Sequence, residues 1–194
     1  MSNNQNKKID DLITSAQLHK EQGNWSLTIK LLNEILSIDP DNTKALNNIG
    51  NAYKETKNFD EAIKYYLKAI NCNPKYKIAK INLAILYHDL GNLVEAKRIY
   101  KKLISIEKYN FAIHFNLSRI DFNYFDENMI NFIENSIENE NLNNYSKASG
   151  FFILAKNQQI KKDFDKEISY LDKGHECFIK SISEKLFKQS YDYW

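Results

Sequence analysis

The chain has 194 residues, 43% of them apolar and 27% charged, with a net charge of +2, the proportions of a folded, soluble protein. Five glycines and two prolines are too few for strands joined by turns and favour helices. The polar opening MSNNQNKKIDDLI lacks the apolar core of a secretory signal, and no apolar run is long enough to span a bilayer, so the expected location is cytoplasmic.

In chain order, residues 1–8 are polar and expected to be disordered. From Ile9 onward the sequence repeats with a period of 34: Ala16, Gly50 and Ala84 align, as do Thr28, Ala62 and Ala96. His19, Tyr53 and Tyr87 fall together, and so do Trp25, Phe59 and Leu93. Each copy splits into two helically periodic segments, about Thr43–Thr56 and Phe59–Asn71 in the second copy. Between the segments stand Gly23-Asn24, Lys57-Asn58 and Gly91-Asn92, residue types that tolerate the left-handed conformation a helix reversal needs. Pro40 and Pro74 each end a second helix. The small residues at Gly50/Ala84 and Ala62/Ala96 let paired helices approach closely.

The series Leu46, Ile49, Gly50, Tyr53, Phe59, Ala62, Tyr66, Ala69, Pro74 resembles the tetratricopeptide repeat in nearly full form. Three copies follow, at residues 9–42, 43–76 and 77–110. The resemblance implies an all-α, right-handed superhelix of about five helix pairs, with the first helix of each pair lining a concave groove. Residues 111–145 form a degenerate pair: Phe111–Phe122 reads as a first helix, and an amphipathic segment near Asp126–Glu138 is off register. Residues 146–194 return to phase through Leu154, Ala155, Phe164 and Leu171. A last amphipathic helix, about Cys177 to Gln189, is expected to cap the array through Ile179, Ile182 and Leu186.

The stretch from Phe111 to Ser183, with FNLSRIDF and the later Gly174-His175, resembles the end of the repeat region in bacterial repeat-bearing sulfotransferases. In that family a catalytic domain with a phosphate loop follows, and no such loop occurs in this sequence.

Chemistry is sparse. No glycine-rich phosphate loop is present, so no cofactor is expected. His19, His88, His114 and His175 have no partner at a ligand spacing, and His19 takes a packing position. Asp10-Asp11 and Asp163/Asp165 stand where helix starts attract acids. Cys72 and Cys177 read as two reduced thiols. The protein is therefore expected to be non-catalytic and to hold no metal. Arg98 and Arg119 are the only arginines, and the aromatic residues sit at packing positions rather than beside a basic stripe, which speaks against nucleic acid. Charge is nonetheless uneven: thirteen basic and six acidic residues from Thr43 to Tyr109, then six acidic and, apart from Arg119 before it, no basic residues from Asp121 to Ser146. Such a field can steer a charged partner.

What remains is binding. Asn48, Asn82 and Asn116 recur at intervals of 34 on successive first helices. An amide both donates and accepts, so a ladder of them can hold an extended backbone; protein O-GlcNAc transferases use such a row, and the resemblance implies a similar role. The alternative is that the row bonds its own neighbouring helices. Lys44, Asn47, Asn51 and Lys54 are groove neighbours, followed by an apolar section with Ile78, Ile81, Ile85 and Phe115, unless Phe122 covers it. Arg119 completes the candidate site. A peptide with an acidic end and an apolar anchor fits this lining. The two-carboxylate clamp of chaperone-binding relatives does not: its positions hold Ile13, Gln17, Asn48, Ile78 and Asn82, of which only Asn48 matches. The leading expectation is a module binding a protein or peptide in the groove. The second is the substrate-recruiting region of a sulfotransferase, and the third a scaffold self-associating through Tyr191, Tyr193 and Trp194.

Overall fold

Ten α-helices follow one another in the computed structural model, which describes residues 3–121, 124 and 126–191 and the side chains of 4–121, 124 and 126–185. They are α1 (Asn3–Glu21), α2 (Trp25–Ile38), α3 (Thr43–Glu55), α4 (Phe59–Cys72), α5 (Lys77–Asp89), α6 (Leu93–Ile104), α7 (Phe111–Ser118), α8 (Glu127–Ser136), α9 (Asn144–Lys161) and α10 (Phe164–Tyr191). No strand occurs among the described residues, and ten helices are the number that five helix-turn-helix units require. The chain divides into two units, residues 1–96 and 97–194.

Within the first unit each helix packs on the next, and α3 also touches α5. Ile9, Ala16, Leu32, Ile35, Ala45 and Ile49 form one core cluster, and Leu46, Ala69 and Ala79 a second. Gly50 lies against the Tyr66 ring, so close that a Cβ there would stand 2.6 Å from Tyr66 Cε1. The turns inside the pairs are copies of one another. Gly23, Lys57 and Gly91, spaced by the repeat, all have φ between 60° and 76°. At each, the following asparagine N–H reaches back to the carbonyl of His19, Tyr53 or Tyr87 at 2.8 Å. This is the left-handed helix stop with its long return bond. Asn24 and Asn92 then cap the next helix, accepting from Leu27 N and Glu95 N at 3.4 Å; Asn42 does the same for α3, accepting from Ala45 N at 3.0 Å. These three asparagines thus serve as helix caps.

In the second unit α9 is central, packing on α7, α8 and α10. Phe111, Ile130, Ile133, Ile137, Phe151, Ile153 and Leu154 make its core. Ser146, on α9, accepts from the N–H of Phe111 and donates to the carbonyl of Tyr109, both at 2.9 Å, so it caps α7 from another helix. Lys162 repeats the left-handed stop with φ 62°. From there α10 runs antiparallel along α9: Gln159 donates to Glu167 at 3.0 Å, Phe151 stacks on Tyr170, Phe152 meets His175, Tyr145 meets Phe178, and Asn144 donates to Glu184 at 2.6 Å.

Three boundaries differ from the sequence reading. Residues from Asn3 are helical, not disordered: α1 extends the first repeat's helix by six polar residues, of which Gln5, Lys7 and Lys8 are good helix formers and the three asparagines are not. The last repeat's second helix and the expected cap are one helix, α10, with no break at Gly174. That glycine is helical and is needed for contact: a Cβ on it would lie 2.6 Å from Phe152 Cε1. And α7 stops at Ser118, short of Phe122. The covering role expected of Phe122, the Leu186 position and the tail Tyr191, Tyr193 and Trp194 lie outside the described side chains.

Candidate groove in the first unit

Successive helices joined by short turns run antiparallel, so α1 and α3 are parallel and leave a furrow between them. In it lies a cavity of about 80 Å³, walled by Ala16, Trp25, Leu32 and Ile35 and rimmed by Lys20, Lys44 and Asn48. Thr28, in the place held by alanine in the next two repeats, is on its floor; its hydroxyl donates to the Asn24 carbonyl at 2.9 Å and has no proton left to give. Asn51 closes the far side.

Beside the cavity the amides form a chain. Asn82 on α5 donates through Nδ2 to Asn47 Oδ1 at 3.0 Å and to Asn51 Oδ1 at 3.1 Å, both on α3. The buried Tyr66 hydroxyl donates to the same Asn51 oxygen at 2.8 Å; burial pushes this phenol far above its ordinary pKa, so it stays a neutral donor. Asn47 Nδ2 is 3.5 Å from Asn48 Oδ1.

The structure thus brings Lys44, Asn48 and Asn51 to one cavity and ties Asn82 to Asn47 and Asn51. Asn47 is only 3% exposed and belongs to the wall rather than to the groove surface, because it points between α3 and α5. Lys54 stands 3.5 Å from the carboxylate of Glu55. Ile85 is half-buried on α5. Asn116 and Arg119 are in the second unit, where Asn116 is half-buried near the end of α7 and Arg119 is exposed. Sequence reasoning missed Trp25, Lys20, Gln17 and Thr28. Trp25 was hidden because it occupies the packing position of Phe59 and Leu93; the signal available was Thr28, a polar residue in an alanine column.

No group of three or more metal-ligating side chains exists among the described residues, and no described helix is long and apolar enough to cross a membrane. His114 is buried. Its Nε2 faces the Lys108 carbonyl and its Nδ1 the Tyr124 hydroxyl, both at 2.8 Å. A carbonyl only accepts, so Nε2 carries the proton and Nδ1 accepts from Tyr124. Burial holds the His114 pKa below 6.5.

A fold made of helix pairs with a 34-residue period, small residues at the crossings and left-handed stops is that of a helical repeat protein. Residues 43–76 and 79–110 each match a family model of the tetratricopeptide repeat, so the chain carries repeats of this kind. No curated protein matches the sequence. Among solved structures, the chain is similar to the first such domain of Spaghetti (RPAP3) bound to an HSP90 peptide, SRMEEVD: 25% identity, TM-score 0.55, covering 59% of this chain and 90% of that one. It is similar to the Sgt2 domain from Aspergillus fumigatus at 26% identity and TM-score 0.53, over 58% of this chain and 76% of that one. MamA, at 14% identity and TM-score 0.60, covers 92% of this chain and 96% of its own and shares the fold.

Proposed function

We propose that the chain is a protein-interaction module that holds an extended segment of a partner in the furrow between α1 and α3. The observation that carries this reading is the cavity: an apolar floor whose one hydroxyl is already bonded, with Asn48, Asn51 and two lysines around it and no carboxylate among its lining residues. Asn48 keeps its Nδ2 donors for a peptide carbonyl, while Asn82 is engaged with α3. The asparagine row therefore divides by role, with Asn48 contacting the ligand and Asn82 holding the wall. The RPAP3 domain, which has a peptide bound, supports a peptide as the class of ligand. The five residues at the two-carboxylate clamp positions still include only one match, Asn48, so the segment held here is not expected to be a chaperone tail.

A peptide array probed with the purified chain tests this. Asn48→Ala is expected to leave melting within about 0.5 kcal/mol, as for surface changes, and to weaken capture. Capture by Asn48→Ala equal to that of the parent would remove Asn48 from the site, and an array with no captured peptide would end the reading.

A further inference from the structure

The first-unit cavity combines a small apolar floor with a cationic rim. Its volume is about 80 Å³, roughly half of the ~150 Å³ apolar void that accommodates benzene. A branched aliphatic side chain matches such a space better than an aromatic ring does. The floor is mostly apolar, made of Leu32, Ile35 and the Trp25 ring, and the Thr28 proton already goes to Asn24.

The charges at the rim are separated along the furrow. Lys20 is near the end of α1 and Lys44 near the start of α3. The repeat sets Lys20 level with Lys54, ten residues on from Lys44 along the parallel helices. At the helical rise this is roughly 15 Å. Neither lysine has an ion-pair partner among the described residues; Glu21, beside Lys20, is engaged by Gln17 at 2.8 Å, and Asp41, the acid nearest Lys44 in sequence, accepts from the Cys72 thiol at 3.4 Å. In an extended segment side chains at i, i+2 and i+4 share a face, and four residues advance about 13 Å. Two carboxylates placed four residues apart therefore reach the two lysines, and the side chain midway between them enters the cavity.

We propose that the cavity recognises an internal acidic-x-aliphatic-x-acidic segment of a partner protein, with Lys44 and Lys20 on the two carboxylates and the aliphatic side chain against Trp25. This rests on the peptide reading above and names the sequence class it selects. A free chain end is not required, because the two cations stand on opposite sides of the anchor.

The probe is the capped peptide acetyl-Ser-Glu-Ser-Leu-Ser-Glu-Ser-amide, titrated into the full chain carrying Trp194→Phe so that Trp25 alone reports. The expected result is a saturable change in Trp25 emission that weakens about tenfold or more with Leu→Ala, Leu→Phe or both Glu→Gln, each tenfold being 1.4 kcal/mol. Placing both Glu side by side before Leu is expected to weaken it similarly. In the protein, Lys44→Glu, Lys20→Glu and Ile13→Glu, at positions on the groove surface, are expected to weaken it while circular dichroism stays unchanged. Equal binding of the Gln or Phe peptide overturns the inference. So does failure of this probe to bind while a peptide array is captured through other sequences, an outcome that leaves the peptide reading standing. No capture of any peptide overturns both.

Discussion

At the scale of single residues, three positions have roles that follow from their bonds. Asn82 joins α5 to α3 through two hydrogen bonds. Asn82→Ala removes both and leaves the buried Asn47 Oδ1 without its donor, while Asn51 keeps its bond from Tyr66, so a loss of about 1–3 kcal/mol is expected in urea unfolding; Asn48→Ala, whose amide lines the cavity, is the contrast. Lys57 holds φ 60° where its two counterparts are glycine. Lys57→Gly relieves that conformation and is expected to stabilise the chain by roughly 0.5–1 kcal/mol, whereas Gly91→Ala loses about 1–2 kcal/mol. His114 is held neutral in an apolar setting with its pKa below 6.5. The unfolded state binds the proton more readily, so stability is full above about pH 6.5 and falls as pH drops toward the lowered pKa of the folded state. Melting measured at about pH 7.5 and about pH 5.5 should show this fall, and His114→Gln should flatten it.

At the scale of the element, the helix pairs owe their spacing to small residues. A Cβ at Gly50 meets the ring of Tyr66, which is fully buried and tethered by its hydroxyl to Asn51. The ring has nowhere to go. Gly50→Val is expected to destabilise the first unit by more than about 2 kcal/mol, combining overpacking with a β-branched residue in a helix. Much of this was legible beforehand. The turns at Gly23, Lys57 and Gly91, the small positions at Gly50 and Ala62 and the starts of α2 to α5 follow from a period of 34 because helix stops and close crossings admit few residue types. The continuity of α10 was not legible, since a glycine inside a helix and one ending it look alike in sequence. Only the Phe152 ring beside Gly174 distinguishes them.

At the scale of the whole molecule, contacts run between successive helices from α1 to α5, as in other repeat arrays, and gather on α9 in the second unit. Protection then follows position. Amide exchange on the full chain is expected to be slowest in α2, α3, α4 and α9, which have packed neighbours on more than one side, and fast in the first turns of α1. Equal protection throughout α1 and α3 would contradict this picture of local stability. The sequence by itself determined the repeat, its register and the all-helical class, because each of these depends on spacing along one chain. Only the tertiary structure decided that Asn48 lines an open cavity while Asn82 bonds a neighbouring helix, for the two occupy the same register. Their difference arises from what stands across from them: an open cavity beside Asn48, and the acceptors of Asn47 and Asn51 within reach of Asn82.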